Sequence, residues 1–319
     1  MSVVARAPGK LFLTGEWAVL RGAPALVAAV DRHAVVTIEP GGDGLMVESL
    51  AERRRDRLDA AGDEPVPGGD AGAVLAALRQ RGAPFRPLRV VVDSRAFLIG
   101  ERKLGLGRSA ATLVAAAAAL APTDRADQIR VRALEANALF QAGQGSGADV
   151  AAAAHGGVIE ARRRGDQLRV ERRTLPAGLH LVAGWTGTSA HTPPLLARFA
   201  AAGTPPALAE LSAAAVAAAE AAERGDAAAL LEAVVRSAEL LVRLGGETDL
   251  PLVTPELAAL VRAANRAGAA AKPSGAGGGD CGIALATSAA QAAAVRAAWQ
   301  EAGILPLSIT IAEHGVAVG

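Results

Sequence analysis

The stretch Lys103-Leu-Gly-Leu-Gly-Arg-Ser-Ala-Ala111 follows a β-branched strand pattern and opens an alanine-rich helical run. Glycine lets a backbone approach a ligand closely, and the first N–H groups of a helix have no partner within it, so the stretch reads as an anion cradle. Arg108 sharpens that reading. A cation in the first helical turn opposes the helix dipole at a cost of ~0.3–1 kcal/mol, which a bound anion would offset. The bland alternative is a tight strand-to-helix turn with Ser109 facing solvent. A Walker A loop is excluded, because the one Gly-Lys pair, Gly9-Lys10, is followed by leucine. Gly105-x-Gly107-x-x-Ala110 fits the relaxed dinucleotide fingerprint, but Asp124 and Asp127 follow a helix pattern where that fingerprint needs a second strand.

Working outward, the chain has three lysines against thirty arginines, and Lys10, Lys103 and Lys272 each lie in or beside a glycine-rich motif. A compact ammonium meets a phosphate as a point charge, which a planar guanidinium does not reproduce. A second motif, Gly145-Ser-Gly-Ala-Asp-Val-Ala-Ala-Ala-Ala-His-Gly-Gly157, spaces Ser146 and Asp149 as in a helix capping box. The functional alternative gives Asp149 to an acceptor or its metal. His155 before two glycines reads as a helix C-terminal residue ahead of a glycine cap. A third motif, Lys272-Pro-Ser-Gly-Ala-Gly-Gly-Gly-Asp-Cys281, leads into a strand pattern and reads as a loop closing over a ligand, with a flexible turn as its alternative. A fourth, Gly184-Trp-Thr-Gly-Thr-Ser-Ala-His191, offers Ser189 and His191 as substrate contacts.

The 319 residues suit two domains, and a net charge of +1 leaves no broad basic field for nucleic acid or anionic lipid. An anionic ligand must be met locally. The single cysteine, Cys281, suits a reducing cytoplasm. Arg6, Lys10 and Glu16 interrupt the opening segment, which therefore lacks the apolar centre of a signal peptide, and the alanine-rich runs are shorter than the ~20 residues of a spanning helix. A soluble protein is expected, with the alanines as helix filler.

Strands are expected at residues 10–13, 34–38, 88–92, 157–161, 179–183, 282–286 and 307–311, and helices at 111–121, 127–142, 206–224, 226–243, 255–267 and 289–302. Residues 62–72 read as an exposed loop. The mixture lacks the regular alternation of a parallel sheet, so the class is α+β. A boundary near Pro176 would give domains 1–176 and 177–319.

With Ala7-Pro-Gly-Lys-Leu-Phe-Leu-Thr-Gly-Glu-Trp-Ala-Val-Leu20, the four motifs resemble the GHMP small-molecule kinases, in the branch whose acceptor is 5-phosphomevalonate. The resemblance spans nearly the whole chain, and the motifs are specific as a set. It implies an N-terminal ATP-binding domain like the second domain of ribosomal protein S5 and a ferredoxin-like C-terminal domain that closes the site. It implies transfer of the ATP γ-phosphoryl group to the phosphate of 5-phosphomevalonate, by a monomer or homodimer. Lys103, Gly105, Leu106, Gly107, Arg108, Ser109 and Ala110 would cradle ATP, and Ser109 would help hold Mg2+. Lys10 and Asp149 would flank the transferring group. Ser146, Gly147, Ser189, His191, Ser274, Gly275 and Ala276 would complete the acceptor pocket.

Two departures stand out: Arg108 replaces a usual serine, and Ala138 stands where mevalonate kinases carry a magnesium glutamate, with Glu135 one turn earlier. Mevalonate kinase, another GHMP-fold kinase or decarboxylase, a non-catalytic nucleotide-binding module and a nicotinamide dehydrogenase are the competing readings.

Overall fold

The computed structural model describes residues 2–62, 64–82, 86–141, 143, 145–165, 167–190 and 192–319. In chain order these form β1 (Val3–Thr14), β2 (Pro24–Pro40), β3 (Leu45–Ser49), β4 (Arg54–Leu58), α1 (Gly69–Arg81), β5 (Leu88–Asp93), β6 (Leu98–Ile99), β7 (Arg102–Lys103), α2 (Arg108–Leu120), α3 (Ala126–Phe140), α4 (Ala148–His155), β8 (Val158–Arg164) and β9 (Gln167–Arg173). Then follow β10 (His180–Trp185), α5 (Thr192–Ala201), α6 (Pro206–Arg224), α7 (Ala227–Thr248), α8 (Pro255–Arg266), β11 (Ala270–Ser274), β12 (Cys281–Ala286), α9 (Ala289–Glu301), β13 (Leu305–Leu307) and β14 (Ala317–Val318).

The first sheet runs β14-β1-β2-β5-β3-β4, and β2 is long enough to pair β8 along residues 24–28 and β5 along residues 35–40. Its β1–β2 register shifts between Pro8 and Gly9, where proline has no N–H to give the ladder. Helices α1, α2 and α4 cover one face, and α3 packs over them. Nearly every residue of α2 from Ala110 to Leu120 is buried, so its alanines are more than filler. Their small side chains let a helix sit enclosed between sheet and neighbouring helices, apolar all round.

The second sheet, β11-β12-β10-β13, is wholly antiparallel. Counting β10, β11, β12 and β13 as strands 1 to 4 gives the order 4-1-3-2 of a β-α-β-β-α-β ferredoxin-like unit, into which α5 to α7 are added. A shared core joins the two halves, with Leu11, Phe97 and Leu106 meeting Trp185, Ile283 and Val234. The chain's end then returns to the first sheet, where β14 pairs β1 and Ile311 bridges Val30.

Several expectations needed correction. The expected loop at 62–72 contains the start of α1, whose apolar face at residues 71–77 is buried against α2 and α3. Strands β4 and β9 and helix α5 lacked a clear period, because charged side chains crowd the two strands and prolines open the helix, while β3 is only five residues long. The last expected strand is displaced to Leu305–Leu307. Position 142 lies outside the described residues. Among the described residues no helix is long and apolar enough to cross a membrane.

Candidate active site

A cleft of about 640 Å³ opens between the two halves. Its floor is the turn into α2, pinned from both sides. From the first sheet, the Lys10 amide donates to the Leu106 carbonyl at 2.7 Å. From the second, the Cys281 thiol donates to the Leu104 carbonyl at 2.8 Å and the Trp185 indole N–H to the Lys103 carbonyl at 3.1 Å. Burial pushes the Cys281 thiol pKa up, so it stays a protonated donor. Gly107, at φ 80°, is the N-cap of α2, and the unpartnered amides that follow it point into the cleft. Lys103 and residues 105–110, the whole expected nucleotide cradle, line this space.

Two glycines in the turn are required by close approach. A Cβ at Gly107 would stand 2.8 Å from Cγ of Lys10, and one at Gly105 would stand 2.3 Å from Cβ of Asp280. Lys10 therefore lies flat beneath the turn, 8 % exposed, with Nζ 3.5 Å from the Gly105 carbonyl and 5.3 Å from the Phe12 ring centroid. Lys10 and Lys103 line the same cleft, and both charges act on Asp280, although the two residues stand 93 positions apart in sequence.

Arg108 needs a different account from the one its sequence position suggests. Its guanidinium donates to Glu52 at 2.7 Å and lies 3.9 Å from Asp70. Protein carboxylates supply the anions that offset the helix dipole, so Arg108 is no evidence for a bound phosphate, although it borders the cleft. Asp70 is 1 % exposed and accepts from the hydroxyls of Ser49, Ser94 and Thr112 at 2.7, 2.7 and 3.1 Å. That network ties β3, the end of β5, α1 and α2 together beneath the cradle.

The capping-box alternative fails. Gly147 is the N-cap of α4 and Ser146 precedes it, so Asp149 sits in the first turn with Oδ1 accepting the Val150 amide at 2.9 Å. Ser146 and Asp149 line the cleft; Gly147 is buried against Leu134. His155 ends α4 ahead of Gly156, as expected, and burial lowers its pKa. Neither α3 candidate contributes a carboxylate: Ala138 is exposed, and Glu135 accepts from Gln80 at 2.6 Å away from the cleft. Ser109 and Asp149 are hard oxygen donors, and among the described residues no three His, Cys, Asp or Glu gather into a metal cluster. That set suits Mg2+ arriving on nucleotide phosphates better than a resident ion in a protein cage.

Ser274, Gly275 and Ala276 line the opposite wall, where the Ser274 hydroxyl donates to the Phe12 carbonyl at 3.0 Å. Ser189 is outside the lining and donates to the Lys103 carbonyl at 3.2 Å; its neighbour Ala190 lines the cleft. His191 lies outside the described residues. Lys272 does not reach the cleft. It is fully buried and pairs with Glu16, which also accepts the Gly275 amide at 3.3 Å. Burial lowers the Lys272 pKa while Glu16 opposes the shift.

Two carboxylates that line the cleft, Glu16 and Asp280, were not assigned a role from sequence. Asp280 adopts φ 58°, donates its amide to the Thr188 carbonyl at 2.7 Å and accepts the Ala190 amide on Oδ1 at 3.0 Å. Burial raises its pKa, while the Ala190 amide, Lys10 and Lys103 pull it down. An acid closing a four-glycine loop was its only sequence signal, easily read as turn chemistry.

Residues 218–305 match the family model described as GHMP kinases C terminal. A phosphomevalonate kinase from Streptomyces sp. (strain CL190) is 36 % identical, over 99 % of this chain and 98 % of its own. In three dimensions the Lin0012 protein of Listeria innocua superposes with a TM-score of 0.86 at 24 % identity, over 100 % of this chain and 99 % of that one. The Streptococcus pneumoniae phosphomevalonate kinase in complex with phosphomevalonate and AMPPNP gives 0.82 at 22 % identity, over 97 % and 99 %. With a relative 36 % identical over nearly the full length of both chains, and with the family model matched at residues 218–305, the chain belongs to the GHMP kinase family.

Proposed function

We propose that this protein is a phosphomevalonate kinase, which transfers the γ-phosphoryl group of ATP to the phosphate of 5-phosphomevalonate and releases ADP and 5-diphosphomevalonate. The observation that carries the reading is that two ammonium groups, Lys10 and Lys103, share one cleft with the free N-terminus of α2 and with Asp149. The near-full-length similarity to a curated phosphomevalonate kinase supports the choice of acceptor.

An alcohol acceptor keeps its hydroxyl proton at neutral pH and must lose it during attack. A phosphate monoester has a second pKa of about 6, so at neutral pH an oxygen is already free to attack. Bringing two polyanions together then becomes the main problem, and positive charge fixed in place before the reaction is the answer. The acceptor oxygen bonds to the γ-phosphorus while the bond to the β,γ-bridging oxygen breaks. Lys10, held flat under the cradle, stabilises the charge on the moving group, and Lys103 neutralises the acceptor phosphate. The α2 amides and Arg108 border the nucleotide phosphates. Asp149 orients Lys10 or the metal and contributes little as a base. Mg2+, held by Ser109 and Asp149, would neutralise phosphate charge when bound. The same reading divides the chain near Pro176 into a nucleotide-binding and a closing domain, with the final residues crossing back to the first.

A coupled ADP-release assay with purified protein over 5-phosphomevalonate, mevalonate, homoserine and galactose tests the reading. ADP formed with 5-phosphomevalonate, without carbon dioxide, is expected. Turnover of mevalonate alone, or gas release, overturns it.

A further inference from the structure

We propose that Asp280 is a ligand-responsive carboxyl. Ionised opposite Lys10 and Lys103 in the empty cleft, it takes up a solvent proton when a phosphorylated ligand engages those lysines, and it then donates a hydrogen bond to a phosphoryl oxygen. The inference rests on the phosphate-binding reading above.

Geometry singles this residue out. Asp280 holds a left-handed φ of 58°, uncommon outside glycine, and its carbonyl accepts from both the amide and the hydroxyl of Thr186 at 2.9 Å. Its side chain lies against the Cα of Gly105, in the middle of the cradle. Oδ1 is spoken for by the Ala190 amide, while Asp280 as a whole lines the cleft, which leaves Oδ2 for whatever enters. Among the described residues, the charged or titratable groups facing it are Lys10 from β1, Lys103 from β7 and the adjoining Cys281 thiol. The 186–190 loop presents amides and hydroxyls.

An ionised carboxylate among incoming phosphates would repel them. Burial already favours the protonated form, and the Ala190 amide together with the two lysines holds it back. Once phosphate oxygens engage those ammonium groups and add negative charge nearby, burial and the new charge both favour protonation, and the Ala190 amide is left to oppose it. A neutral carboxyl converts the repulsion into a donor. No other co-reactant is required, because the proton comes from solvent and returns there on release.

The sign follows from linkage. The complex holds a proton that the empty site does not, so affinity is greatest at low pH and declines as pH rises through the raised pKa of the complex. The slope reaches about tenfold per pH unit when one proton is taken up in full. Asp280→Asn is a conservative test, since asparagine tolerates a left-handed φ and keeps an oxygen for the Ala190 amide.

The full-length protein with Mg2+ is titrated calorimetrically with AMPPNP and with 5-phosphomevalonate, in buffers of different ionisation enthalpy. Protons exchanged by the ligand itself are common to both proteins and cancel in the comparison. Wild type is expected to take up more protons than Asp280→Asn, by up to about one per site. Binding with equal uptake overturns this inference alone; no binding by wild type overturns the proposed function as well. Should the variant not fold, the infrared difference spectrum of wild type decides. A protonated-carboxyl C=O band appearing with ligand supports the inference, and its absence overturns it.

Discussion

In the proposed mechanism Lys10 is the residue on which the chemistry rests, because its stem is clamped under Gly107 and its charge is set in place before any ligand arrives. Lys10→Met should lower kcat by about a hundredfold or more, the scale of losing one preorganised charge, and a near-normal rate would refute the role. Asp149→Asn should leave the circular dichroism spectrum unchanged yet impair turnover, since no capping box depends on it. Unimpaired turnover would return Asp149 to a structural part. Ammonium and glycine are chemically distinctive, so Lys10, Lys103 and the cradle were legible in the sequence. Arg108 was misread because its partners, Glu52 and Asp70, sit 56 and 38 positions earlier. Asp280 was passed over because one acid at the end of a glycine run looks like a turn.

Among the elements, the turn into α2 tolerates little change. Gly107→Ala meets both a φ of 80° and the Lys10 stem at 2.8 Å, so it should cost about 1 kcal/mol or more of stability and displace the ammonium. Steady-state kinetics should then show kcat falling, beyond any rise in the KM for ATP; a change confined to KM would place Lys10 outside the chemical step. Beneath the turn, Asp70→Ala removes the common acceptor of three buried hydroxyls. A loss of about 3 kcal/mol or more is expected in urea denaturation, and a loss under ~1 kcal/mol would mean that the hydroxyls re-pair. The long periodic helices α6 to α9 were readable from their apolar spacing. Helix α1 was hidden because its first turn is written in glycine and aspartate, and packing against α2 and α3 decides it.

Across the whole molecule, the buried pair of Glu16 and Lys272 spans 256 positions and holds the 274–277 wall against the loop after β1. Breaking such a pair leaves a lone buried charge, so Lys272→Met should cost about 3–5 kcal/mol in urea denaturation. The double replacement with Glu16→Leu should cost less than the single, and equal costs would show the pair to be incidental. The sequence alone determined which loops are proposed to carry the chemistry and which family they resemble, because residue identity, short spacing and hydrophobic period are local properties. Only the tertiary structure decided what those loops face: that Lys103 and Lys10 share a cleft while Lys272 is buried beneath it, that Arg108 is already paired, and that Asp280 stands against Gly105. The reason is that burial of apolar surface is non-directional. The path of the chain through two sheets, and not any local pattern, determines which distant side chains meet.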